Sequence, residues 1–181
     1  SIFLAQLWGK EDVPNIRKVL GLTVKLGLTA AAFFWVISHF FPQAALKIYT
    51  NDPAVIELGS RYLKILCWSF GFYALTATFS TASRSTGNVR LPLVVSASAL
   101  ALDVLLAFVL IFGVKWLGIP ALGVEGVAIA GLIARILECT AMLLIVYRDR
   151  TSPIAAGLRD IFGFDLKFLV VVMKPVLPVI A

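Results

Sequence analysis

Charged side chains are scarce in this 181-residue sequence, at 14% of the chain, whereas apolar residues make up 60%. Soluble domains are about 45–50% apolar and about 25% charged, so a soluble fold of this length cannot bury so much apolar surface. The mean hydropathy is +0.96. Composition therefore indicates a membrane protein and excludes an ordinary soluble domain.

Residue types that carry out catalysis and metal binding are also rare. The sequence has one histidine and two cysteines, with neither a CxxC pair nor a His/Cys cluster. It lacks a P-loop and the GxSxG, HExxH and GxGxxG patterns in their required contexts. Cys67 and Cys139 each lie midway along an apolar run, where a free cysteine is usually a packing residue. We therefore predict no enzyme activity, no metal site and no cofactor.

Acidic residues are fewer than basic ones, at 10 against 16, which leaves a net charge of +6. An excess of this sign can indicate nucleic-acid binding. Here, however, the basic residues stand between apolar blocks and not on one polar face, as in the cytoplasmic loops of membrane proteins. We expect the lipid bilayer as a partner and no nucleic acid.

Four apolar blocks reach the length of about 20 residues that a membrane-crossing helix needs. They cover residues 19–41, 62–83, 91–114 and 124–147, and a fifth block begins at 168 and runs to 181. Long unbroken runs favour helices over the short alternating strands of a barrel. Asn51 or Asp52 can cap a helix that starts at Pro53. The predicted fold is all-α, a polytopic transmembrane helix bundle with four full spans and part of a fifth.

The basic residues divide unevenly between the two sides of these spans, with eleven on one side, four on the other and Arg135 within the membrane. The positive-inside rule places the 10–18, 84–90 and 148–167 loops in the cytoplasm, which predicts a multi-pass protein of the cell (inner) membrane. Residues 1–147 then form part of one lobe, 148–167 a linker, and 168–181 the start of the next lobe. Because the chain opens on Ser1 and ends within an apolar run at Ala181, we expect it to be a piece of a longer protein.

Three ionisable residues stand out at membrane depth in the predicted spans, namely Asp103, Arg135 and Glu138. Each costs about 2.5–3.5 kcal/mol on insertion scales, so each needs a partner or a function. Asp103 shares a small-residue helix face with Ser96 and Ala99. It is interpreted either as a carboxylate that exchanges a proton or a cation during transport, or as a structural ion-pair partner of Arg135.

Glu138 ends a stripe of small residues on one helix, and it stands three residues after Arg135. That spacing lets the two side chains meet on the helix surface. One hypothesis is therefore a local Arg135–Glu138 pair that neutralises both charges. The other places Arg135 or Glu138 on the wall of a cavity beside Asp103.

Four short motifs resemble those of the multidrug and toxic compound extrusion (MATE) family of antiporters. They are Ala5-Gln6-x-x-Gly9, Arg84-x-x-Gly87 followed by Pro92, Leu110-Ile111-Phe112-Gly113, and Gly123-Val124-x-Gly126-Val127-Ala128. They occur in the family's order with matching hydropathy between them. The resemblance covers essentially the whole chain but only part of a typical family member.

The resemblance implies a secondary antiporter that exports organic, cationic, drug-like compounds in exchange for H⁺ or Na⁺. Its fold would have two related lobes around a central cavity, and this chain would be most of the N-terminal lobe. Asp103, Glu138 and Arg135 would line the ion-coupling and substrate cavity. Structural or gating roles would fall to Gln6, Gly9, Arg84, Gly87, Pro92, Gly123 and Gly126. The expected partners are a small organic substrate and the remainder of the same chain, in a monomer.

The sequence departs from the family pattern at two places. Members with a proton site in this lobe often carry N-x-x-x-D, and the equivalent positions here are Asp103 and Ala107, so the carboxylate has moved by one helical turn or the usual site is absent. Arg135 stands where many members have an uncharged polar residue. Two alternatives stay open: a lipid-linked oligosaccharide flippase of the same superfamily, and a non-transporting scaffold or permease subunit.

Overall fold

A computed structural model of the chain describes residues 2–113, 120–149 and 153–155. Every regular element in these ranges is helical, as predicted. The helices are α1 (Ile2–Gly9), α2 (Val13–Phe40), α3 (Pro42–Lys47), α4 (Pro53–Leu66), α5 (Phe70–Ser85), α6 (Arg90–Phe112) and α7 (Gly123–Arg148), and a 3₁₀ turn at Cys67–Ser69 joins α4 to α5. Most of the predicted linker at 148–167 and all of the predicted fifth span at 168–181 lie outside the described residues.

Four helical segments are long and apolar enough to cross a membrane, which confirms the four predicted spans. They are Val13–Phe40, Pro53–Ser85, Arg90–Phe112 and Gly123–Arg148. The first two begin before the predicted starts at 19 and 62, because polar caps start each helix ahead of its apolar block. A carboxylate oxygen of Asp12 accepts a bond from the Asn15 amide at 3.3 Å, and one of Asp52 accepts from the Ala54 amide at 2.9 Å. Asp52 and not Asn51 is therefore the second cap.

Large apolar side chains cover the outside of the bundle. Phe33, Leu93, Val104, Phe108 and Phe112 are between 61% and 68% exposed. In water such a surface would drive association, whereas in lipid it meets a solvent of its own polarity. The chain is therefore a multi-pass membrane protein.

The turn between α5 and α6 depends on Gly87, which has a φ of +87°. That left-handed conformation lets the Gly87 amide bond the Arg84 carbonyl at 3.2 Å and the Asn88 amide bond the Ser83 carbonyl at 3.0 Å. These bonds satisfy the last carbonyls of α5. The Asn88 side chain then accepts a bond from the Leu91 amide at 3.2 Å and starts α6. Gly87 therefore has a structural role.

The connection after α1, the α5–α6 turn and the segment after α7 lie at one end of the bundle. Trp8, Thr86, Asn88, Asp149 and Pro153 line a single small cavity there. The described parts of these three segments therefore lie at the same membrane face, as predicted. Assignment of that face to the cytoplasm stays a prediction.

Helices α6 and α7 approach closely at Gly126. A Cβ atom placed on Gly126 would lie 2.7 Å from the Leu110 carbonyl oxygen and 2.9 Å from its carbon. The same carbonyl oxygen accepts a hydrogen bond from the Leu122 amide at 2.9 Å. Leu110 and Gly126 belong to two of the four motifs, so these motifs meet at a backbone contact between helices.

We expect Gly126→Ala to destabilise the protein by about 1–3 kcal/mol, because the added methyl group overpacks a contact with backbone atoms. Thermal unfolding of the detergent-solubilised protein measures the effect. Gly27→Ala is the matched control, since its Cβ would meet Ala74 Cβ at an ordinary 3.6 Å. Both changes raise helix propensity equally. Equal melting temperatures for the two variants would contradict the close contact.

Candidate functional site

Asp103, Arg135 and Glu138 meet at one cavity between α5, α6 and α7. The cavity has a volume of about 470 Å³, and its wall includes Asp103 from α6, Arg135 and Glu138 from α7, and Tyr73 from α5. A second cavity of about 320 Å³ adjoins it and shares Tyr73, Asp103 and Arg135. The charged groups therefore line polar cavities between the helices, where a charge in a membrane protein is tolerated.

Glu138 is the buried member of this group, at 3% exposed. Its Oε2 accepts a hydrogen bond from Arg135 Nη1 at 2.5 Å, and its Oε1 accepts one from Ser96 Oγ at 2.7 Å. A buried carboxylate is tolerated when its charge is paired and its oxygens are bonded. The predicted Arg135–Glu138 pair is confirmed. The same pair also lies on the cavity wall beside Asp103, so both hypotheses for Glu138 describe its position.

The stripe of small residues on α7 explains how Glu138 reaches α6. Gly126, Ala130 and Ala134 are buried one turn apart, and Glu138 follows one turn later. Small side chains let two helix backbones approach closely within a membrane. The short Ser96 hydroxyl on α6 can therefore reach the Glu138 carboxylate directly.

Arg135 has a second contact that the sequence did not predict. Its guanidinium carbon lies 5.5 Å from the centroid of the Tyr73 ring, a distance at which a cation is attracted to an aromatic face. Because α5 and α7 are distant in sequence, no spacing rule pairs these two residues.

Asp103 is half-buried and, among the described residues, has neither a hydrogen bond nor an ion pair. The structural Asp103–Arg135 ion pair, one of the two interpretations above, is not formed, because Arg135 bonds Glu138. Gly131 of α7 lies next to the carboxylate, and a Cβ placed there would be 3.9 Å from Asp103 Oδ1. Sequence analysis did not identify Gly131, whose absent side chain leaves space beside the acid.

The motif residues are divided between the cavity and the ends of the helices. Arg84 is exposed and lines the larger cavity. Gly9 ends α1, Pro92 is buried in the first turn of α6, and Gly123 starts α7 with a φ of +55°. Gln6 is exposed on α1. Structural roles fit these positions, and their gating roles stay predictions.

The histidine and the two cysteines of the chain do not line either cavity. His39 stacks on Trp35 with 5.1 Å between ring centroids, and its Nδ1 lies 4.0 Å from Cys67 Sγ. Cys67 and Cys139 are both buried and free, in agreement with packing roles. Within the described residues, no three potential metal ligands come together.

Four membrane-crossing helices around charged internal cavities define a multi-pass membrane protein. The family model of MatE matches residues 1–109 of this sequence. The chain therefore belongs to the MatE family, as the four motifs predicted. Family membership also agrees with the prediction that the chain is not an enzyme.

Several curated proteins are similar to the chain. "Probable multidrug resistance protein YoeA" of Bacillus subtilis is 27% identical over 96% of this chain and 37% of its own length. "Probable multidrug resistance protein NorM" of Thermotoga maritima is 30% identical over 87% of the chain and 34% of its own length. The "FAD transporter" of Shewanella oneidensis is 25% identical over 87% of the chain and 33% of its own length. The chain thus spans little more than a third of these relatives.

A solved structure supports the fold independently. It is described as the inward-facing conformation of a multidrug resistance MATE family transporter of the MOP superfamily, and it matches 97% of this chain with a TM-score of 0.81. The match covers 38% of that protein at 18% sequence identity. It confirms the predicted MATE-like arrangement of helices.

We expect Arg135→Met to destabilise the protein by about 1–3 kcal/mol, because it leaves the buried Glu138 carboxylate without its cationic donor. Adding Glu138→Gln should recover most of this loss, since no buried charge then remains. Arg61→Met is the control: Arg61 pairs with Glu57 and with Glu125 through side chains that are between 42% and 71% exposed, and its loss should cost less than about 1 kcal/mol. Chemical unfolding in detergent gives all three values, and a double variant less stable than Arg135→Met would contradict the pairing.

Proposed function

We propose that the chain is part of a secondary antiporter that exports organic cations in exchange for H⁺ or Na⁺, with Asp103 as its ion-coupling residue. One observation carries the proposal. Asp103 is a carboxylate in the middle of a membrane-crossing helix, it lines both cavities, and it has no partner among the described residues. Such a group favours binding of a proton or a metal cation, which removes its unpaired charge.

The distribution of charge around the cavity supports this role. Glu138 neutralises Arg135, and Arg84 is exposed, where solvent screens its charge. Among the described residues that line the two cavities, Asp103 is the acid without a bound countercharge. Binding and release of a cation at Asp103 would then favour different arrangements of two lobes that rock about a central site.

The proposed substrate class rests on the relatives and on exposed aromatic rings. The B. subtilis and T. maritima relatives are named as multidrug resistance proteins, and exposed aromatic rings such as Tyr73 can stack on organic cations. The S. oneidensis relative, named an FAD transporter, indicates that cargo differs among related proteins.

The two alternative functions fit the cavity less well. A flippase for lipid-linked oligosaccharides needs several free basic groups to hold a pyrophosphate, and of the two arginines lining the larger cavity, Arg135 is bonded to Glu138. A non-transporting scaffold or permease subunit would need Asp103 in a structural pair.

We further propose that the protein acts as a monomer in the inner membrane, that the described ends near 10, 86 and 149 face the cytoplasm, and that the rest of the same chain completes the transport path.

We expect Asp103→Asn to abolish gradient-driven export while the protein stays folded, because an amide does not take up a proton and lacks the negative charge that attracts a cation. Uptake of a fluorescent organic cation into inverted vesicles with an imposed H⁺ or Na⁺ gradient measures this. Glu57→Gln, at an exposed acid on α4, is the matched control and should transport normally. Export by Asp103→Asn at the unmodified rate would remove Asp103 from the mechanism.

Competition by lipid-linked sugars and not by organic cations would favour the flippase.

A further inference from the structure

The two cavities extend toward opposite faces of the membrane. The larger one is lined by Ser80 and Arg84 from the second half of α5 and by Ser96 from the first half of α6. These segments lead to the turn at 86–89. The smaller cavity is lined by Tyr62 and Ser69, before α5, and by other residues from the first half of α7. These segments lead to the opposite end of the bundle.

Between the two cavities stand the three residues they share, Tyr73, Asp103 and Arg135. Arg135 is fixed by Glu138, which Ser96 also bonds, and the Tyr73 ring stacks on the guanidinium group. The stack therefore lies next to Asp103 at the level where the two cavities meet. Neither bond to Glu138 restrains Tyr73, which is 57% exposed and has room to turn.

We propose that the stacked side chains of Tyr73 and Arg135 form an internal gate that controls from which membrane face a cation reaches Asp103. This inference rests on the proposed coupling role of Asp103. Glu138 holds the guanidinium group in place, and the cation–π contact holds the Tyr73 ring against it, so the two side chains together narrow the path between the cavities. The tyrosine ring both blocks the path sterically and holds the guanidinium across it.

The gate can be tested by cysteine accessibility, which requires no transport. The full-length protein, with Cys67, Cys139 and every other native cysteine replaced by alanine, would carry a single new cysteine at Thr81 in the larger cavity or at Leu66 in the smaller one. A membrane-impermeant methanethiosulfonate reagent is added to right-side-out or to inverted vesicles. With the gate present, Thr81→Cys should react from the face of the 86–89 turn only, and Leu66→Cys from the opposite face only.

Tyr73→Ala should open the gate, and each cysteine should then react from the far face about tenfold faster or more, as expected when a barrier falls by roughly 1.4 kcal/mol. Tyr73→Phe is the matched control, because it keeps the ring that stacks on Arg135 and should keep labelling one-sided. The double variant Arg135→Met/Glu138→Gln removes the guanidinium group without leaving a buried charge, and it should also open the gate.

Labelling from both faces before any gate substitution, or one-sided labelling that persists in Tyr73→Ala and in the double variant, would overturn the gate. Those results would not affect the proposed coupling role, which depends on Asp103→Asn and the export assay. Conversely, normal export by Asp103→Asn together with a gate that opens as expected would reject the coupling residue and leave the barrier between the cavities established.

Discussion

Glu138 places a carboxylate where only 3% of the residue is exposed, within a helix that crosses the membrane. An uncompensated charge at that position would destabilise the fold by several kcal/mol, so the surroundings must supply both a countercharge and hydrogen bonds. Arg135 supplies the charge from one turn earlier in the same helix, and Ser96 supplies a hydroxyl from the neighbouring helix. The two bonds that compensate the Glu138 carboxylate therefore connect α6 to α7 and hold Arg135 in position.

A second consequence of the bond between Glu138 and Ser96 is that α6 and α7 must approach each other closely. The Ser96 hydroxyl is short, so it can bond Glu138 only if the two backbones lie near each other. Gly126 permits this closeness at the other end of the same pair, where the Leu110 carbonyl occupies the space of a side chain. Two contacts near opposite ends of α6 and α7 thus set the geometry of this helix pair. The cavity that Asp103 lines lies beside the two helices.

The helices could be predicted from the sequence, whereas the contacts between separate helices could not. Apolar runs predicted four crossing helices, and Asp52 before Pro53 predicted a helix start, because these features depend on local composition and capping. The Arg135–Glu138 pair was predictable too, since residues three apart on a helix are neighbours. The Tyr73–Arg135 stack and the position of Gly131 beside Asp103 depend on how separate helices pack. A single sequence carries no local signal for those distances.

The departure from the family's N-x-x-x-D pattern can be examined with the same geometry. Two explanations were open: the carboxylate had moved by one turn, or the usual ion site was absent. Position 107, where the pattern has its acid, is alanine here and is not among the residues lining either cavity, whereas position 103 lines both. The acid at 103 also faces Gly131, which leaves space beside the carboxylate, and Arg135, whose charge Glu138 already neutralises. A carboxylate that had lost its function would be expected to gain a structural partner or to be replaced by an apolar residue, because an unpaired acid in a membrane carries a continuing energetic cost. That Asp103 has no partner among the described residues supports the proposal of a displaced ion site over a missing one.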